Sequence, residues 1–320
     1  MIETLRVQLV TPAMIGGATA GTCDSTRALR VPELRGLFRF WTRALGGDAF
    51  RELEERLWGS TTLGQRVTLR SIPTGDRVLE EHFLFPAKEA GARTRMSMMA
   101  PGVQFDLRFG LPRLREHERL LRQQLQAVVW TALHLGAVGR RSRRGYGSLQ
   151  WVPGERDLLW DFLDGGFVPD RHLGSQASLK EYLQRGLTRV CSILGRPAAV
   201  APAESRQSSS WFQLTTIDQV FVGRRLTARY DGQRGGMEDL IHGCGERGAS
   251  AAESAQLGSP EPRLASPMSW RIYRLKNDDY VPVMTWSPRD GVTALTANTN
   301  MHKYLTQRLG FGKSLANLDL

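Results

Sequence analysis

The sequence predicts an α+β protein made of two βαββαβ-type units, the second one degenerate. Three observations carry this. Strand-like and helix-like periodicities follow one another over the first half in the order β-α-β-β-α-β, give or take a strand. Two amphipathic stretches with ordinary start and stop signals separate those strands. The second half supplies a further helix, a strand and a strand pair with a weaker pattern, and no internal sequence repeat accompanies it.

Each element has a local reason. ETLRVQLVT, residues 3–11, alternates Leu5, Val7 and Leu9 on one face, as a half-buried strand does. TPAMIGGATAGTCDST is a Gly/Ala/Thr loop without a period. In PELRGLFRFWTRALGG, Leu34, Leu37, Phe38, Trp41 and Leu45 recur at helical spacing, with Pro32 in the first turn and Gly46-Gly47 after the last. Residues 66–72, 82–86 and 103–109 read as strands. A long helix is predicted over 114–137, buried through Leu120, Leu121, Leu125, Val128, Val129, Ala132 and Leu135, and SLQWV follows as a strand. This order is ferredoxin-like, which is also the order of RNA-recognition modules. In the second half, 178–195 reads as a helix and 210–223 as a strand. Residues 268–275 and 280–286 read as a strand pair turning at KNDD, and 298–309 as a closing helix. The boundaries are therefore a first domain at 1–153 and a second at 154–320. The Gly/Ala/Ser-rich stretch 243–262 reads as a mobile surface insert.

Charge narrows the function. The 320 residues carry 43 Lys+Arg against 32 Asp+Glu, a net of +11, and the excess is nearly all arginine. A GC-rich codon bias explains Arg over Lys but not an excess over acids. A polyanionic partner explains both, with nucleic acid as the default. An apolar content of 41% excludes a disordered tail. Cys23, Cys191 and Cys244 stand too far apart for a CxxC motif and are odd in number, as in a reduced cytoplasmic protein. The N-terminus reads as a strand rather than a signal peptide, and no apolar run reaches membrane-spanning length, so no membrane partner is expected.

The charge concentrates in GAVGRRSRRGYGSLQ, residues 136–150, where Arg140, Arg141, Arg143 and Arg144 fall within five positions. Glycines allow a ligand close to the backbone. Arginines add bidentate phosphate donors. Tyr146, between Gly145 and Gly147, is expected to be exposed enough to stack on a base. One arginine would suffice to cap the preceding helix's C-terminal dipole; four repel one another. Arg35, Arg39 and Arg43 form a second basic row at i, i+4, i+8, with Glu52, Glu54 and Glu55 nearby as possible pairing acids. In a ferredoxin-like fold the two basic features sit on adjacent helices and are expected to converge on one groove.

Read in order, four segments resemble a known family. They are TPAMIGG, the helix motif of Arg30, Leu34, Arg35, Gly36, Arg39, Phe40, Trp41 and Arg43, the LWGS at 57–60, and the loop Ser142-Arg143-Arg144-Gly145-Tyr146-Gly147-Ser148. Together they resemble the RAMP superfamily of CRISPR effector proteins and, more narrowly, the Cmr subunit one family of type III-B effector complexes. PRLASPMSWRI, residues 262–272, resembles a further segment of such proteins. The resemblance covers residues 1–150 and the 262–286 region. It implies two ferredoxin-like units with an RNA-binding surface and no cofactor. It also implies a subunit that holds the 3′ portion of the guide (CRISPR) RNA and assists capture of single-stranded target RNA, with other Cmr subunits as partners. Target cutting would belong to another subunit. Arg30, Arg35, Arg39, Arg43, Arg140, Arg141, Arg143, Arg144, Gly145, Tyr146 and Gly147 become the candidate RNA-binding residues.

The rival reading is an endoribonuclease of the same superfamily. Its candidates are Asp24, in the loop after the first strand, and a histidine acting as general base on a 2′-OH. His82, His117, His134, His172, His242 and His302 are scattered, and no second acid accompanies Asp24 as metal-dependent hydrolysis would want. His242 and Cys244 alone make no zinc site. A general RNA-binding module outside CRISPR is a third reading, supported by charge alone.

Overall fold

The computed structural model describes residues 2–16, 23, 29–46, 50–75, 79–83, 95–111, 119–164, 166–195, 217, 219–225, 268–287 and 316–317. In chain order the elements are β1 (Ile2–Leu9), α1 (Val31–Gly46), α2 (Arg51–Trp58), β2 (Thr68–Thr74), β3 (Leu79–Phe83), β4 (Arg95–Met99), β5 (Gln104–Gly110), α3 (Arg119–Leu135), β6 (Leu149–Val152), α4 (Pro169–His172), α5 (Gln176–Leu194), β7 (Gln219–Val222), β8 (Met268–Arg274), β9 (Tyr280–Trp286) and β10 (Ala316–Asn317). The protein is of mixed α+β class.

A four-stranded antiparallel sheet runs β2-β5-β1-β6. The alternation read from the sequence sets its inner face: Leu5, Val7 and Leu9 are buried. Leu5 lies opposite Leu107, and Val7 opposite both Phe105 and Trp151. Each such fully buried side chain contributes about 1.5–3 kcal/mol. The apolar stripe of α1 also packs into the core, where Phe38 stacks on Trp58 at 5.2 Å and meets Phe109 at 5.8 Å. Arg122 of α3 pairs with Glu3 at 2.9 Å and Asp161 at 3.0 Å, tying the helix to the start of β1.

Helix α3 is buried on nearly every side, because it also touches α5 and β9. Helix α5 starts on a capping box between Ser175 and Ser178 and stops at Gly195 in the left-handed conformation. Its Gly186 abuts Trp130, and a Cβ there would fall 1.9 Å from the indole. A second antiparallel sheet runs β10-β7-β9-β8. Every residue of β9 is buried, so this strand is covered on both faces. One apolar cluster includes Leu5 and Phe105 of the first sheet together with Val220, Tyr273 and Val283 of the second.

Several boundaries differ from expectation. The strand expected at 82–86 is β3, Leu79–Phe83, and it pairs with β4 in a separate hairpin outside the main sheet. Helix α2, β4, α4 and β10 are additional elements. The predicted helices at 114–137 and 178–195 are α3 and α5, with residues 112–118 outside the described residues. Leu120, expected in the buried stripe of α3, is exposed instead, because it lies in the first turn, before the helix enters the core. The closing helix at 298–309, the insert at 243–262 and most of the strand predicted at 210–223 also lie outside them.

Candidate nucleic-acid interface

The segment after α3 turns back on itself as a wedge. Its inner side is bound by backbone from two directions. On one side runs the chain beyond β1: Gly147 N–H donates to Pro12 O at 2.9 Å, Arg140 N–H to Met14 O at 2.8 Å, and Val10 N–H to Ser148 O at 2.8 Å. On the other runs β8, with Gly145 N–H donating to Trp270 O at 3.2 Å and Trp270 N–H to Arg143 O at 3.3 Å. Hydroxyls complete the joint. Thr11 Oγ1 donates to Gly145 O at 2.7 Å and accepts from Ser148 N–H at 2.9 Å, while Ser148 Oγ accepts from Ile272 N–H at 3.0 Å.

The glycines belong to this joint. Gly147 has φ +64°, and a Cβ on it would lie 1.8 Å from Val138 O; at Gly139 (φ +85°) the clash would be with Met14 O at 2.7 Å. Side chains do not fit there whatever binds outside. Tyr146 corrects an expectation: it is 1% exposed, so its ring is core and not a stacking surface. The backbone bonds of Gly145 to Trp270 and of Gly147 to Pro12 hold this part of the turn against the core, and Tyr146 is buried with both glycines.

The arginines take the other side. Arg140 is exposed, and Arg141, Arg143 and Arg144 are half-buried. The Arg143 guanidinium lies over the Phe40 ring, 5.1 Å from its centroid, and burial lowers its pKa. Together with Glu33, Leu37, Trp41, Gly136, Gly139, Ser142 and Ser269, these two residues line a cleft of about 210 Å³ between α1 and the loop. Glu33 Oε1 accepts from Gly139 N–H, and burial raises the carboxyl's pKa against the opposing effect of that bond and of Arg30. Arg30 is exposed beside this corner and donates to Gly16 O at 3.1 Å.

The arginine row of α1 goes elsewhere. Arg43 grips the Glu54 carboxylate of α2 with two hydrogen bonds, one of them at 2.6 Å. Arg39 approaches the same carboxylate at 3.6 Å and donates to Trp58 O at 3.1 Å and to Gly59 O. Arg35 is half-buried one turn earlier and makes no ion pair among the described residues. The cleft is lined by Glu33, Leu37, Phe40 and Trp41 of α1, so the expected convergence of the whole row with the loop is corrected. The chain brings together Arg30, Arg140 and Arg143; it points Arg39 and Arg43 at α2.

Beneath the loop lies a closed polar network. Tyr273 Oη donates to His134 O at 2.9 Å, which commits its hydrogen. His134 Nδ1–H therefore donates to Tyr273 Oη at 2.8 Å, leaving Nε2 to accept from Tyr182 Oη at 3.1 Å. Tyr182 Oη in turn accepts from Trp130 Nε1–H at 2.9 Å. Burial, and then the nearby charge of Arg271, hold the His134 pKa well below its usual value. This imidazole is neutral and saturated, with no nitrogen left for a general base. Arg271 is fully buried over the Tyr273 ring at 4.1 Å and donates to Leu149 O. His172 Nδ1 accepts from Val168 N–H at 3.0 Å, and His82 is 1% exposed, 3.1 Å from Glu80. Asp24, His117, His242, Cys244 and His302 lie outside the described residues.

Sequence reasoning missed Glu33, Thr11 and Arg271. Glu33 had a legible signal, an acid in the first turn of a helix that precedes a glycine-rich basic loop. Thr11 and Arg271 act across more than 120 residues of chain, and nothing local marks them.

Residues 6–150 match the RAMP superfamily. Two subunits from Pyrococcus furiosus are similar in sequence. "CRISPR system Cmr subunit Cmr1-1" is 28% identical over 56% of this chain and 54% of its own length. "CRISPR system Cmr subunit Cmr1-2" is 26% identical over 45% of this chain and 91% of its own. The match thus spans about half the length of the first relative. Among solved structures, apo Cmr1 from Pyrococcus furiosus shares the fold with a TM-score of 0.60 at 17% identity, over 98% of both chains. A chain of the type III-B Cmr-β assembly bound to cognate target RNA does so with a TM-score of 0.56 at 12% identity, over 89% of this chain and 94% of that one. Over residues 6–150 the chain is similar to the RAMP superfamily, and the sequences it resembles include two Cmr1 subunits.

Proposed function

We propose that this chain is a non-catalytic RNA-binding subunit of a cytoplasmic type III-B CRISPR effector complex. It holds the 3′ portion of the guide RNA and assists capture of single-stranded target RNA in antiviral defence, beside other Cmr subunits. One observation carries the reading. The arginine loop is pinned by its inner backbone to β8 and the 10–14 segment, and its outer side offers Arg140 and Arg143 next to Arg30. A pinned loop presents charge without an ordering cost on binding, and guanidinium groups suit phosphate oxygens.

Two ferredoxin-like units, 1–153 and 154–320, fit the strand orders. Numbered within its own sheet, each reads 4-1-3-2, antiparallel throughout. The relatives' membership in Cmr assemblies, one bound to target RNA, supports the partners named here.

The test is one incubation of the full chain with end-labelled single-stranded RNA, with and without Mg²⁺ or Mn²⁺, read for binding and for cleavage. Salt-sensitive binding of intact RNA is expected. Cleavage that disappears in Asp24→Ala contradicts the non-catalytic role and makes the chain a nuclease.

A further inference from the structure

We infer that the cleft between α1 and the arginine loop takes a single unstacked nucleobase of a bound RNA strand, stacked on Phe40 and hydrogen-bonded by the Trp41 indole and Glu33. The inference rests on the RNA-binding reading above and names the part of the strand that this corner receives.

Size comes first. At about 210 Å³ the cleft falls below the roughly 300–1,000 Å³ of pockets that enclose drug-sized ligands. It suits one planar ring system with its sugar and phosphate left outside. The phosphate then lies at the rim, where Arg140 and Arg30 are exposed.

The lining supplies the second argument. Trp41 is 2% exposed, and its Nε1–H has no acceptor among the described residues. Such buried donors are nearly always paired in folded proteins. This one lies against Gly136, where an added Cβ would fall 2.4 Å from it, and both residues line the cleft. A side chain at 136 would fill the space beside the N–H; glycine leaves that space to the cleft. A base carbonyl or ring nitrogen supplies the missing acceptor. On the same wall of the cleft, about two turns earlier on α1, Glu33 has committed Oε1 to Gly139 N–H, which leaves Oε2 for a donor. A carboxylate only accepts, so the matching ligand group is an exocyclic amine. Adenine, cytosine and guanine carry one; uracil does not.

The stacking face is the third argument. Phe40 is half-buried and braced edge-on by Trp41 at 5.4 Å, with the Arg143 guanidinium over its ring. Arg143 covers one face of the ring, so the base takes the other, and the guanidinium completes the stack from behind. The chain therefore replaces the stacking role expected of Tyr146 with Phe40, one loop away.

Short homopolymers of adenosine, cytidine and uridine, and an all-abasic strand of equal length, test this by fluorescence anisotropy with the full chain. The adenosine and cytidine strands are expected to bind roughly tenfold tighter than the abasic one, with uridine between. Phe40→Leu, which keeps bulk but loses the flat face, should bring all three to the level at which the same variant binds the abasic strand. Glu33→Gln, which can still accept from Gly139, should narrow the gap between adenosine and uridine. Circular dichroism confirms that the variants fold. Base-dependent affinity that survives Phe40→Leu overturns the inference while RNA binding stands. Loss of binding to every strand in the wild type overturns both. Adenosine monophosphate competing as well as the adenosine strand also overturns it, because the occupant is then a free nucleotide.

Discussion

The chain carries two arginine clusters that look alike as text and behave differently in space. On α1, Arg39 and Arg43 face α2, where Glu54 and two backbone carbonyls engage their guanidinium groups. On the 136–148 loop the division runs through the turn itself. Gly145, Tyr146 and Gly147 face inward as a structural joint, and Arg140 and Arg143 remain on the outer side. Density of positive charge therefore does not locate a binding surface. What locates it is where the neighbouring backbone has already spent its hydrogen bonds.

The comparison can be broken at several points. The largest effect on stability belongs to the inner joint. Gly147→Ala places a Cβ against Val138 O in a left-handed conformation and should cost at least about 3 kcal/mol, read as a lowered urea midpoint. Next comes the α1 row. Glu54 is nearly buried, so Glu54→Gln strands Arg43 and should cost about 2–3 kcal/mol while moving RNA affinity little. A loss of RNA affinity with unchanged stability would show that the row is functional after all.

The network under the loop gives a pH signature. The folded protein holds the His134 pKa below its usual value, so the unfolded chain takes up a proton that the folded one refuses. Stability is fully present above about pH 6.5 and is lost as pH falls below it, at up to about 1.4 kcal/mol per unit. His172, also lowered mainly by burial, acts in the same direction. Urea midpoints at about pH 7.5 and about pH 5.5 should differ less in His134→Asn than in the wild type. The smallest effect on stability belongs to the outer side: Arg140→Glu should stay within about 0.5 kcal/mol.

Much of this was legible in the sequence. The alternation of Leu5, Val7 and Leu9 and the stripe of Leu34, Phe38, Trp41 and Leu45 read correctly because burial on one side leaves a period. Strand β4 did not, since RMSMM lacks the β-branched and aromatic residues that mark strands. Helix α2 escaped because five of the eight residues in RELEERLW are charged, which hides the Leu53–Leu57 pair. At the site, the loop's position after a long helix was readable from its glycines and arginines. The inward turn of Tyr146 was not, because it depends on Thr11, Pro12 and Trp270 arriving from distant parts of the chain.

The most direct measurement is the salt dependence of RNA affinity for the wild type and for Arg140→Glu combined with Arg143→Glu. For a single strand, each lost phosphate contact should flatten the log–log slope by about 0.7. The account predicts a weaker and flatter dependence in the variant, with an unchanged circular dichroism spectrum. An identical slope and affinity in a folded variant would contradict the assignment of the loop's outer face to RNA.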